Sequence, residues 1–394
     1  MPSRKITIAF VIPRFGGVGG SERFVSELAD QIVFQEDFEI HVLANRWYNE
    51  NPLIRFHKIP IIRYPRIMRP VMFAFLVKKK IEKTHFDLIH AHDRIFSMDI
   101  LTMHGIPHKT WVKKVRHKHL SLFDRTTSWV EERGINGHPC PMVLPVSELV
   151  KEELQNSYDI PESKIKVVHP GVSAEPFSFF NRDACRNAIR RKYGFLLNDM
   201  VILFVSMNFE VKRLDLLIKG MAALVNHDKR CHPVKLLVVG KGNKSKYLQI
   251  ARNFGVADRI AFCGITHEVE KYYLASDLFV MPSSYDTFGL VVLEAMMAGL
   301  PVIITENVGA KDLVRSGVHG FVLKDDPSPS DIAEKIAFFL NRENRLSMGE
   351  NAKKTAFDHT WDKKGFLMAE IYRSLFNNKK KFALSSQIHC KAEA

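Results

Sequence analysis

The sequence predicts an α/β protein of two doubly wound domains in tandem, and three observations carry that prediction. Apolar runs of strand length alternate with stretches of helical spacing, as expected of parallel sheets covered by helices. The alternation lapses in mid-chain and then starts again, so the second series reads as a new domain. The 394 residues are too many for one compact core and suit two domains of roughly 150–200 residues each.

Ile6, Ile8, Phe10 and Val11 mark a first strand, and a glycine loop follows from Arg14 to Gly20. Ser21 is the expected N-cap of a helix whose apolar positions Phe24, Val25, Leu28 and Ile32 share one face. Further strands are expected at Glu39–Leu43, Asp87–Ala91 and Val143–Val146. From Ser173 to Asp183 no period is visible, and the segment reads as a linker. The second series has strands at Val201–Val205, Val234–Val239, Ile260–Cys263, Leu278–Met281 and Val302–Thr305. Trp361, Phe366, Leu367, Ile371 and Leu375 define a last helix. The expected domains are therefore 1–175 and 176–359. A C-terminal helix over 360–376 returns to the first domain, and a basic tail over 377–394 frays.

Composition narrows the function. No apolar run approaches the roughly 18–20 residues of a spanning helix. Val71–Val77 is only a short helix face, and Ile6–Ile12 is too short for a signal-peptide core with its cleavage site. A cytoplasmic location is expected. Cys140, Cys185, Cys231, Cys263 and Cys390 are odd in number and far apart, which reads as reduced thiols. The formal charge is +14, and residues 1–130 hold 21 Lys/Arg against 12 Asp/Glu, so a third of the chain carries most of the excess. One basic tract contains Arg55, Lys58, Arg63, Arg66, Arg69, Lys78, Lys79, Lys80 and Lys83; a second contains Lys113, Lys114, Arg116 and Lys118. Phe73, Phe75, Leu76, Trp111 and Val112 are interleaved with them. Such stretches suit an anionic membrane surface, attract nucleic acid, or are simply solvated helix faces.

The segment Ser283–Pro301, SSYDTFGLVVLEAMMAGLP, carries the most chemistry. A strand ends just before it, Asp286 lies in a loop, Phe288-Gly289 opens a helix, and Glu294 sits inside that helix. Glycine at a helix start lets a ligand approach the backbone, and N–H groups there attract phosphate. A carboxylate farther along can accept the paired hydroxyls of a ribose, and one before the helix can accept sugar hydroxyls. A capping Asp and a surface Glu are the plainer reading. Yet Leu293, Ala295, Met296 and Ala298 make an apolar neighbourhood for an idle charge.

In Phe204–Asp215, FVSMNFEVKRLD, Lys212 precedes a helix and could neutralise a diphosphate leaving group. Taken alone it reads as a surface lysine. Gly17 and Gly19 belong to RFGGVGGSERF, whose spacing is not Gly-x-Gly-x-x-Gly. No acid ends the second strand cleanly, so no dinucleotide cofactor is expected. His90, His92 and Asp93 in HAHD, with His104 and His108 in MHGIPH, could suggest a metal. No second ligand cluster and no Asp-x-Asp accompanies them, so neither metal nor cofactor is expected. Gly240 ends a strand in VVGKGNK.

The acid-x7-Glu spacing of Asp286 and Glu294, with Phe288-Gly289 after the first acid and EAMMAGLPVI from the second, resembles family 4 of the retaining glycosyltransferases. The resemblance spans roughly residues 6–375. It implies the GT-B fold, two Rossmann-like doubly wound domains facing across a cleft. It places Glu294 on the ribose of a nucleotide-sugar, Asp286 on the donor sugar and Lys212 at the diphosphate. The family has a second cation, an Arg, where this chain has Met207; Arg213 is the adjacent candidate. Gly17 and Gly19 would face the donor and acceptor, and Gly240 the nucleotide, with Phe288 and Gly289 supplying amides near the leaving group. His104 would contact the donor sugar, with His92 the alternative. Glycosyltransferases that use a divalent metal usually carry an Asp-x-Asp pair, absent here.

The function expected is transfer of a hexose or related sugar, from a UDP-sugar or similar donor, to a lipid-linked or lipopolysaccharide-core saccharide. The DILTMHGIPHKTW stretch is loosely similar to lipopolysaccharide core glucosyltransferases. Arg66, Arg69, Lys78, Lys79, Lys80, Lys113 and Lys114 would meet the acceptor or the inner face of the membrane, with no nucleic-acid partner. A nucleotide-sugar epimerase of the same fold would need no acceptor. A non-catalytic basic protein, bound to membrane or nucleic acid, has no use for the paired Asp286 and Glu294.

Overall fold

The computed structural model describes residues 4–17, 19–62, 64–227 and 234–392; Arg63 and Cys231 lie outside them. The chain forms two compact units, Met1–Gly171 with Trp361–Ala394, and Val172–Thr360.

The first unit is built on β1 (Ile6–Val11), β2 (Phe38–Ala44), β3 (Arg55–Lys58), β4 (Leu88–Ala91), β5 (Ile100–Met103) and β6 (Met142–Pro145). Their order is β3-β2-β1-β4-β5-β6, and all pairs are parallel. The second unit repeats the plan with β7 (Met200–Ser206), β8 (Val234–Gly240), β9 (Ile260–Gly264), β10 (Leu278–Met281), β11 (Val302–Thr305) and β12 (Gly320–Leu323), in the order β9-β8-β7-β10-β11-β12. Helices cover both faces, so the central strands are apolar along their length; Ile8, Phe10, Ile202 and Phe204 are fully buried. In each sheet the winding reverses beside the first strand. Side chains beyond the carboxyl ends of the flanking strands surround the crevice where such sheets take ligands.

Three strands are unexpected from the sequence. β3 and β12 are edge strands, and the RFHK of β3 is too polar to register as an apolar run. β5 is buried but only four residues long. Helix α1 (Gly20–Val33) is capped by Gly19, and Ser21 stands inside its first turn. Glu22, at the third helical position, supplies the other half of a capping box: its carboxylate accepts the Gly19 N–H at 3.4 Å and pairs with Arg14 at 2.8 Å.

The C-terminal helix runs from Trp361 to Ala392, past the expected end at Phe376. Residues 377–392 contain neither glycine nor proline to stop it. It packs on α1: Trp361 meets the Phe24 ring edge-on, and Gly365 admits Gln31 where a Cβ would stand 2.7 Å from it.

Candidate active site

In the second unit, Lys212 follows β7 and Asp286 follows β10, so the two flank the reversal point of the sheet. The lysine Nζ donates to Asp286 Oδ2 at 2.5 Å and to the Tyr285 carbonyl at 3.1 Å. Asp286 Oδ1 accepts the Phe288 N–H at 3.2 Å. Both charged side chains are largely buried, which strengthens their attraction and fixes their geometry. Asp286 thus takes up the Phe288 amide in an Asx turn.

Gly289 caps the following helix, α5 (Leu290–Met297; α2, α3 and α4 are Arg69–Lys83, Leu122–Ile135 and Leu214–His227), in a left-handed conformation at φ 88°. A side chain there would be strained and would crowd Val308 at 3.1 Å. Glu294, one turn along α5, is only 6% exposed, and the Tyr273 hydroxyl donates to its Oε2 at 2.9 Å. Tyr273 is itself fully buried between Phe177 and Phe279. Sequence reasoning found the carboxylate but missed this tyrosine, because the two are 21 residues apart on different helices.

Gly240 faces Ser206 across the β7–β8 ladder, and a Cβ there would lie 1.8 Å from the Ser206 carbonyl oxygen. Its glycine is required by the backbone, whatever else passes nearby. Met207 is exposed in the loop after β7. Arg213 does not stand in for a cation there: its guanidinium reaches Asp326 at 2.6 Å and the Asp325 carbonyl at 3.1 Å.

In the first unit a pocket of about 350 Å³ opens at the carboxyl ends of β1, β4 and β5, lined in part by Arg14, Glu22, His92, Asp93, Arg94 and His104. His92 Nδ1 and His104 Nε2 are 3.1 Å apart, so both expected histidines share the pocket wall. His92 Nε2 is buried with no hydrogen-bond partner among the described residues. Arg94 pairs with buried Glu131 at 2.7 Å, and Glu131 also accepts the His108 N–H and the Tyr158 hydroxyl, each at 2.8 Å. Gly17 lies against Glu22, whose carboxylate occupies the space a Cβ would need. His90, also part of the motif, is structural: its ring nitrogens meet Tyr372 and Thr102, both at 2.7 Å, tying the C-terminal helix to the sheet. Among the described residues no three His, Cys, Asp or Glu side chains are grouped to hold a metal ion.

Burial holds the His90 and His104 imidazoles down to about 3 and His92 well below its usual value of 6.5, so all three are neutral at pH 7. The unfolded chain takes up protons below pH 6.5 that the folded chain refuses. Stability from this cluster is thus complete above pH 6.5 and is lost as pH falls toward 3. Melting from pH 7.5 to 5 is expected to lower Tm by on the order of 10 °C. A flat profile would show that the imidazoles are protonated in the folded state.

The first basic tract packs on α3 of the first unit. Arg66 lies over the Phe123 ring at 5.4 Å, Thr126 on α3 donates to the Ile67 carbonyl, and Lys78 on α2 lines a cavity with Trp129 and Arg133 of α3. Lys79 and Lys113 point to solvent, Arg69 and Lys80 are partly covered, Lys78 is near Glu82, and Lys114 pairs with Glu153 at 2.7 Å. Of the interleaved apolar residues, Phe73 and Val112 belong to the core, whereas Phe75 and Trp111 are exposed. No described helix is long and apolar enough to cross a membrane.

The Glycosyltransferase Family 4 model matches residues 18–176, and the Glycosyl transferases group 1 model matches residues 186–355. The D-inositol 3-phosphate glycosyltransferase of Thermobispora bispora is 30% identical, over 91% of this chain and 91% of that protein. Among solved structures, WaaG, a glycosyltransferase involved in lipopolysaccharide biosynthesis, superposes with a TM-score of 0.78 at 20% identity, over 93% of this chain and 99% of that one. Anabaena HepE in complex with UDP-glucose gives a TM-score of 0.70 at 19% identity, over 94% and 100%. With family models on both domains and a relative alike along nearly the whole chain, the protein belongs to the family 4, group 1 glycosyltransferases and has their GT-B fold.

Proposed function

We propose that this glycosyltransferase takes its sugar from a UDP-sugar, retains the anomeric configuration, and uses no metal. The observation that carries the reading is the arrangement at the reversal point of the second sheet. Lys212 and Asp286 are joined there, just before a glycine-capped helix that holds a buried carboxylate, Glu294. Glu294 would accept the ribose hydroxyls. Lys212 would offset charge developing on the departing diphosphate, the task a metal performs elsewhere. Asp286 would hold the donor sugar, and His104, with His92 behind it, would meet that sugar from the first unit. Asp286 is tied to Lys212 and to the Phe288 N–H, which favours front-face attack by the acceptor hydroxyl, with the leaving phosphate taking the proton. The donor is read as a UDP-sugar because HepE, of the same fold, is seen with UDP-glucose.

The acceptor would be a saccharide, lipid-linked or part of a lipopolysaccharide core, met by a cytoplasmic enzyme at the inner membrane face. The two basic tracts, with Phe75 exposed in the first and Trp111 in the second, support that placement. A thermal-shift screen against UDP, GDP and ADP and their sugars tests the reading. A rise in Tm with UDP compounds alone is expected. No rise with any nucleotide would sink it and favour a basic surface-binding protein. Release of a free epimerised nucleotide-sugar, without acceptor, would favour an epimerase.

A further inference from the structure

The C-terminal part of α3 carries Trp129, Glu132, Arg133 and Asn136 at spacings of three and four residues, so these side chains share one face of the helix. With Lys78 of α2 and Phe96 they line a cavity of about 630 Å³ in the first unit. Its walls come from the segments that lead into β4, β5 and β6: α2 precedes β4, Phe96 precedes β5, and the end of α3 precedes β6. It shares no lining residue with the His92–His104 pocket at the carboxyl ends of the strands.

One wall is aromatic. Trp129 is 47% exposed, although Phe96 meets it edge-on at 5.5 Å and the Arg133 guanidinium lies against its ring at 5.7 Å. Those two contacts hold the indole in place and leave much of its surface open. The charges around it are mixed and do not pair off. Among the described residues Glu132 forms no ion pair with Lys78 or Arg133, and Lys78 stands 3.8 Å from Glu82 instead. The side-chain amide of Asn136 likewise has no hydrogen bond among them. This mixture selects among ligands. A phosphate or an anionic bilayer meets the Glu132 carboxylate, and a cation meets Lys78 and Arg133. An apolar segment strips water from all three charges and gives them no partner. A hexose avoids each penalty: its hydroxyls both donate and accept, and its carbon-bound hydrogens pack on an aromatic face.

We propose that this cavity is a second saccharide-binding site, which holds a neutral hexose unit of a glycan apart from the His92–His104 pocket. Trp129 is the platform, Glu132 accepts from hydroxyls, and Asn136 and Arg133 donate to them. The site rests on its own side chains and stands independently of the donor reading above.

The test titrates the full chain with maltotriose and with galactobiose, by calorimetry and saturation-transfer NMR. The variants are Trp129→Ala, Trp129→Phe and Asn136→Ala, each melted to confirm that it folds. The wild type is expected to bind at least one of the two sugars. Trp129→Ala should bind it about tenfold more weakly, because the platform is gone, and Trp129→Phe about as well as the wild type. Asn136→Ala removes an exposed side chain, so it reads the site even where Trp129→Ala fails to fold; its affinity should fall too. Binding of neither sugar overturns the site, and so does binding that Trp129→Ala and Asn136→Ala both keep. Sedimentation with phosphatidylglycerol vesicles that Trp129→Ala loses, with neither sugar bound, makes the indole a membrane anchor and also overturns it. A separate UDP titration keeps the two readings apart: its failure would remove the donor site and leave the sugar result standing.

Discussion

Lys212→Met is expected to lower kcat by about 10²–10³, the size of effect seen when one preorganised group facing developing charge is removed. Affinity for UDP should fall by less. The reason lies in the pair with Asp286. In the wild type the 2.5 Å contact leaves the two side chains close to neutral together. A departing diphosphate can then draw on the lysine while the carboxylate turns to sugar hydroxyls. Without the lysine, Asp286 presents an uncompensated negative charge to a second anion, and the loss is largest as charge develops. Lys212→Arg should restore little, since a planar guanidinium cannot replace a compact ammonium that also bonds the Tyr285 carbonyl. Steady-state kinetics with a UDP-sugar, beside a UDP titration, check this. A kcat within a few-fold of wild type would show that Lys212 does not face the leaving group.

Glu294→Ala should weaken UDP binding by about 10- to 100-fold, because the loss of ribose hydroxyl bonding to a carboxylate costs a net of roughly 1.5–3 kcal/mol. The substitution also removes one bond of the buried Tyr273 hydroxyl, which keeps the Val291 carbonyl at 3.2 Å, so a modest fall in stability of about 1 kcal/mol should accompany it. Glu294→Gln keeps an acceptor for Tyr273 and separates the two effects: its stability should recover while UDP affinity stays reduced. Calorimetry with UDP and a denaturant melt read both quantities. Unchanged affinity in Glu294→Ala would place the ribose elsewhere.

The donor-side residues were legible because they sit within short strand–loop–helix units. A helix that opens on Phe288-Gly289 and carries Glu294 among Leu293, Ala295 and Met296 declares an odd buried charge in a dozen letters. The glycine loop was legible as a loop but not in its capping, since the helix starts one residue before Ser21 with Gly19 as its cap and Glu22 accepting the Gly19 N–H. His92 and His104 could be proposed only as alternatives. Their common place on one pocket wall depends on β4 and β5 being neighbours, and β5 was not among the expected strands.

By itself the sequence determined the two doubly wound domains and the positions of Lys212, Asp286 and Glu294. Burial repeats along a contiguous strand or helix, and the hydrophobic effect writes that repeat into local order. Only the tertiary structure decided which side chains meet. Lys212 and Asp286 are 74 residues apart, Arg66 and Phe123 come from different helical turns, and Arg213, beside the uncharged Met207, turns to Asp326. Such encounters depend on strand order and on the direction each loop takes from the sheet, which no local period records.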